Sequence, residues 1–148
     1  MLAGLGPILG EGEVGGSVDV DGIKQTWSYQ DGGALVDGQV FVQVQGPAYE
    51  LKANSPPVAV LTGMKTASAG EAIVVAFRGR SNTRSFGLYT YGVPTGNDGF
   101  IFNDGAMIAL TVAVFADRMG QTYDDRIYPD EWVDEVQKLT IIMDEIIP

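Results

Sequence analysis

The chain has 148 residues with no histidine and no cysteine, and its 19 acidic side chains against 9 basic give a formal net charge of −10. A surface this negative repels nucleic acid and anionic membranes, the lack of thiols excludes disulfides and thiolate metal sites, and no apolar run approaches the roughly 20 residues that span a bilayer. With 45% hydrophobic residues the chain can bury a core as one domain, and its 20 glycines and 7 prolines favour turns and short strands over a helical bundle.

In "MLAGLGPILGEG", Met1, Leu2, Leu5, Ile8 and Leu9 recur at near-helical spacing, so a short amphipathic helix is expected to open the chain. The first positive side chain is Lys24, which does not fit the basic start of a signal peptide. This helix either closes the core or continues from something upstream, which would make the chain a C-terminal piece. Composition favours the first. Alternation follows in "GGSVDVDG" and "IKQTWSYQDGG", with Gly22 set to turn one strand into the next as a hairpin. "GQVFVQVQG" places Val40, Val42 and Val44 on one face and Phe41, Gln43 and Gln45 on the other, and "AYELKANSPP" reads as a short strand stopped by proline. These strands form a sheet with one wet face, the usual meaning of alternation.

Pro56 to Gly63 differs. Val58, Ala59, Val60 and Leu61 are continuously apolar, as expected of a strand covered on both faces. After a loop of small residues, Ala69 to about Arg78 reads as a buried helix. Strand, tight turn and helix together can present Ser68 at a helix N-terminus, where free N–H groups and the dipole stabilise a developing oxyanion. The competing reading makes Ser68 an N-cap and Glu71, three residues on, the second half of a capping box. On local pattern alone the cap comes first, because capping boxes far outnumber active sites.

Beyond the helix, a short strand and a Gly- and Thr-rich loop lead to a hairpin turning at Asn103, Asp104 and Gly105. Its second arm, "AMIALTVAVFADR", is long and apolar enough for a central strand. "YPDEWVDEVQKLTIIMDEII" is expected to close the chain as an amphipathic helix, with Pro129 near its start and Trp132, Val136, Leu139, Ile142 or Met143, and Ile146 towards one side.

The order of these motifs, "VAVLTGMKTASAGE" and then "RSFGLYTYGVPTGNDGFIFNDGAMIALTVAVFADRMGQTYDDRIYPDEWV", resembles the C-terminal part of the S41 serine peptidases, the tail-specific or C-terminal processing proteases. It is most similar to the branch with the nisin-resistance protein and tricorn-like cores. The resemblance covers Pro57 to about Val133. It implies that Ser68 is the nucleophile, that the Ala69 N–H is an oxyanion donor, and that Thr66, Gly92 and Thr95 bind substrate. Thr90, Gly96, Asn97, Pro129 and Asp130 also fit the family's pattern. The opening "MLAGLGPILGEG" looks like the helix that follows the family's "DLRxNxGG" segment, itself not in this sequence.

Two departures qualify the likeness. Val93 stands where Ser–Lys members carry their lysine, and Lys65 is a solvated side chain rather than that lysine. The other branch uses a histidine, and this chain has none. The general base and the second oxyanion donor are therefore expected from a missing N-terminal half. Asp124 or Asp125 is the carboxylate that could orient such a base. The fold implied is α/β, a crotonase-like (ClpP/crotonase) ββα-spiral core: a mixed sheet, a buried helix after the nucleophile strand and a C-terminal helix. The reaction implied is acyl transfer on a peptide or protein substrate, with no cofactor and no metal, in a bacterial periplasmic or extracytoplasmic setting. The chain alone is expected to be inactive, and its uncovered edges to form a homo-oligomer or to pair with the missing half. Two alternatives remain: a non-catalytic binding or assembly domain that keeps the protease fold, and a β-rich structural domain in which Ser68 only caps a helix.

Overall fold

The computed structural model describes residues 1–52 and 55–133. The opening helix forms as expected, α1 (Leu2–Leu9). Four antiparallel strands follow: β1 (Gly12–Asp19), β2 (Lys24–Gln30), β3 (Gly33–Val36) and β4 (Gln39–Gln43). The hairpin at Gly22 is present, and Asp19 Oδ1 accepts the Asp21 and Ile23 N–H groups to close it. Asp31-Gly32 and Asp37-Gly38 supply the next two turns, both residues of each pair at positive φ, as two-residue hairpins of this hand require.

The continuous apolar run becomes β5 (Val58–Thr62), and α2 (Ala69–Phe77) follows it. Then come β6 (Thr83–Gly87), β7 (Thr95–Ile101), β8 (Met107–Asp117), β9 (Thr122–Tyr123) and β10 (Glu131–Trp132). The expected single mixed sheet is two sheets. One is antiparallel in the order β4-β3-β2-β1-β8-β7, with β9 added on β8; the other is parallel in the order β10-β6-β5.

Helix α2 lies between the sheets and is covered on most sides, which is why its sequence is apolar nearly throughout. Ala76 and Phe77 join Leu9, Val14 and Tyr29 in one core cluster, against which Val58 and Val60 pack. Val74 and Val75 join Phe115 and Ile127 in the other, and Trp27 meets Phe115 edge-on at 5.0 Å. Helix α1 closes the first cluster from outside. It comes so near β2 that a Cβ on Gly6 would fall 1.9 Å from the Tyr29 ring, so only glycine fits there. Buried Arg80 fastens the end of α1, donating to Ile8 O, and also to Pro56 O ahead of β5.

Several expectations need correction. "AYELKANSPP" forms no strand in its described residues; Pro47 and the Pro56-Pro57 pair deny it ladder donors. Strand β4 is exposed along its whole length, so its alternation separates no wet face from a dry one. Strand β5 alternates instead of being covered twice. Val58 and Val60 face α2, while Leu61 is 61% exposed on the open face of the parallel sheet. Strand β8 is central only from Ala113 to Asp117, where it pairs with β1; its first half leaves the body with β7 as an exposed two-stranded arm turning at Gly105. Glu131 and Trp132 lie in β10 rather than in a helix, and the remainder of the expected closing helix, residues 134–148, lies outside the described residues.

Candidate functional site

Strand β5 delivers the chain into a short loop locked by its own backbone. Thr66 N–H donates to Gly63 O at 2.8 Å, and the Gly63 N–H donates to Thr66 Oγ1 at 3.2 Å. The loop ends at Ser68, whose φ of 49° and ψ of −111° lie outside the regions that L-residues favour. Such a conformation costs on the order of 1–3 kcal/mol and persists only where surrounding bonds hold it. Ser68 and Ala69 are both exposed, and the Ala69 N–H, the first of α2, meets no acceptor among the described residues. An exposed hydroxyl thus sits beside a free amide at the positive end of a buried helix, an arrangement suited to holding an oxygen that gains negative charge.

Glu71 holds this geometry. It is fully buried, and its carboxylate takes hydrogen bonds from four groups in two segments. Oε2 accepts the Ser68 N–H at 2.7 Å and the Val93 N–H at 3.0 Å; Oε1 accepts Thr90 Oγ1 at 2.5 Å and the Gly92 N–H at 2.8 Å. The capping box read from the sequence is present, with Glu71 bound back to the Ser68 amide and the Ser68 side chain turned to the Glu71 amide. The carboxylate does more than cap, since it pins the loop Thr90–Val93 against the serine turn. Buried Thr90 passes the link on, because its Oγ1 accepts the Ile127 N–H at 2.9 Å. A second strut joins the loops directly, Tyr91 N–H to Thr66 O at 2.8 Å.

Of the residues singled out in the sequence, Ser68, Ala69, Thr66 and Gly92 meet around Glu71. Gly92 has φ +100°, and a Cβ there would come within 2.9 Å of Asp125 Oδ1 and the Arg126 side chain, so the loop closes only over glycine. Thr95 begins β7 two residues past the clamp, its N–H donating to Val93 O. Asp124 and Asp125 are exposed and make no side-chain hydrogen bond among the described residues. Val93 contributes its N–H, and Lys65 is exposed, as expected.

The roles of Glu71 as clamp and of Thr90 as relay were not foreseen. A lone carboxylate opening the apolar run "AIVVAF" was the available signal, because a buried acid needs several donors. A separate network fixes the end of the parallel sheet. Asp130 accepts the Ser85 N–H and Oγ–H at 2.6 and 2.7 Å and an Arg78 N–H at 2.7 Å. Partial burial works against its charge, but the Ser85 and Arg78 hydrogen bonds outweigh that and hold its carboxyl below the usual range.

The sequence profile of peptidase family S41 matches residues 21–133, well over half of the chain. The nisin-resistance protein of Lactococcus lactis subsp. lactis is 28% identical over 131 residues, which make up 88% of this chain and 40% of that protein. A lipoprotein from Streptococcus agalactiae has a similar solved structure, with a TM-score of 0.73 at 28% identity over 99% of this chain and 48% of that one. The photosystem II D1 C-terminal processing protease shares the fold, with a TM-score of 0.61 at 24% identity over 86% of this chain and 29% of that one. The chain therefore spans less than half the length of each of these relatives.

Proposed function

Because this chain belongs to peptidase family S41, we propose that it is the nucleophile-bearing, C-terminal part of a serine peptidase catalytic domain, built on a crotonase-like ββα-spiral core. One observation carries this reading. Ser68 is exposed on strained backbone, beside the free Ala69 N–H, and is held there by a buried carboxylate. A helix cap needs neither the strain nor the exposure.

On this reading Ser68 Oγ attacks a peptide carbonyl while a base from outside these 148 residues takes its proton. The Ala69 N–H and a second donor from elsewhere hold the oxyanion, and water releases the acyl-enzyme. Thr66, Gly92 and Thr95 flank the substrate with small side chains and backbone. Of the two acids, Asp125 approaches Gly92 and so the clamped loop; it, rather than Asp124, orients the incoming base. Removing one member of such a triad costs on the order of 10⁴-fold or more in rate, so the chain by itself hydrolyses nothing at a useful rate. The likeness to a lipoprotein and to the nisin-resistance protein supports a bacterial extracytoplasmic setting, and no helix among the described residues is long and apolar enough to cross a membrane.

The test is reconstitution: this chain is mixed with a polypeptide carrying the preceding part of an S41 catalytic domain, histidine included, and assayed on a quenched fluorescent peptide. Cleavage that needs both parts and disappears with Ser68→Ala supports the reading. Cleavage that survives Ser68→Ala, or a stable complex with no cleavage, contradicts it. The second outcome favours a non-catalytic assembly domain, for which the apolar β7–β8 arm is the specific argument.

A further inference from the structure

A groove of about 240 Å³ starts at Ala69, next to the serine, and every one of its lining residues is apolar. It lies between α1, the β3–β4 hairpin and one face of α2. Ala69, Ala72 and Ile73 share that face at helical spacing. Two alanines, where the first turn of the helix has room for larger side chains, leave the space open. Trp27 lines it from β2 and Phe41 from β4. Phe41 is 78% exposed and adds nothing to the core, so its place at the groove calls for another reason.

We propose that this groove is the specificity subsite of the peptidase and takes one large apolar side chain, leucine- or phenylalanine-like, of the peptide whose carbonyl lies at Ser68. The inference rests on the reading of Ser68 given above. Three observations choose this occupant. The groove is continuous with the residue that carries the free amide, so a peptide held there sends a neighbouring side chain into it. Among its lining side chains only the Trp27 indole N–H can form a hydrogen bond, so a carboxylate or amide side chain would be desolvated with at most one partner. Its volume exceeds the roughly 150 Å³ that hold a benzene ring and falls short of the roughly 300–1,000 Å³ of pockets for whole small ligands. That size suits one side chain.

The experiment is a titration of the ¹⁵N-labelled chain with N-acetyl-leucinamide, N-acetyl-phenylalaninamide and N-acetyl-aspartamide. The first two are expected to give saturable shifts centred on the Trp27 indole N–H, Ala69 and Ala72, with the aspartate probe at least tenfold weaker. Phe41→Asp, a change at an exposed site, is expected to weaken both apolar probes at least tenfold, and Ala72→Phe to fill the groove. Equal response to the aspartate probe, or no saturable shift at these residues, overturns the proposal. So does tighter occupation by decanoate that the amides do not displace, which would make it a lipid groove, or shifts that follow protein concentration with a doubling of mass, which would make it a contact between copies. The probes need no reaction at Ser68. Binding that persists while Ser68 never acylates would sink the peptidase reading alone; acylation of Ser68 with an empty groove would sink this one alone.

Discussion

At the scale of single residues, the site depends on a carboxylate that never touches substrate in this account. Glu71 gathers the Ser68, Gly92 and Val93 amides and the Thr90 hydroxyl, and all four are donors. Glu71→Gln keeps the shape but turns one acceptor into a donor facing donors. It is expected to destabilise the fold by about 3 kcal/mol, the sum of weakened charge-assisted bonds and an unmet buried amide, read as a lower urea midpoint at unchanged slope. Glu71→Ala should cost more, and either change should free Ser68 from its strained φ. Asp130 gives a pH prediction. Its folded pKa lies below the ordinary value of 3.8, so its contribution to stability is complete above about pH 4 and fades as the pH falls through the folded value. Asp130→Asn is therefore expected to lower stability at neutral pH and flatten its dependence on pH on the acid side. An acid limb as steep as in the parent would contradict the assigned hydrogen bonds.

At the scale of elements, the β7–β8 arm stands out. Ile101 and Met107 are 76% and 71% exposed, and Phe100, Ile108 and Leu110 are exposed as well. An apolar strand edge without lysine or proline invites pairing with another chain. Light scattering after size exclusion should show mass above the monomer that rises with concentration, and Ile101→Lys with Met107→Glu should restore the monomer. A clean parent monomer at high concentration would argue against the arm as an interface. The elements also show what the sequence could reveal. The Gly22 and Gly105 turns, β5 and α2 were legible because turn chemistry and unbroken apolar runs are local signals. Strand β3 is not legible in the sequence although Asp-Gly pairs flank it, since four residues carry too little periodicity to register. The cover on β5 and the exposure of the arm were misjudged for one reason: apolar residues state that a surface wants burial, not what buries it. Glu71 was legible only as a cap, because its partners Thr90, Gly92 and Val93 lie about twenty residues away.

At the scale of the whole molecule, two sheets share one helix, and the serine turn sits where the parallel sheet hands over to it. The resemblance in motif order reached the family correctly, because "TASAGE" and "TYGVPTGN" belong to the two loops that Glu71 ties together. The chain has no histidine, and this makes the central claim testable by chemical rescue. On the proposed reading Ser68 is built to react and needs from outside these residues a base and a second oxyanion donor, of which the base can be replaced by a small molecule. Mass-spectrometric rates of fluorophosphonate labelling, with and without imidazole as an external base, address it directly. A slow adduct is expected on Ser68 that added imidazole accelerates at least tenfold, with no comparable change at any other serine and none in Ser68→Ala. Labelling of Ser68 that is indifferent to imidazole, or no faster than at the other exposed serines, would contradict it.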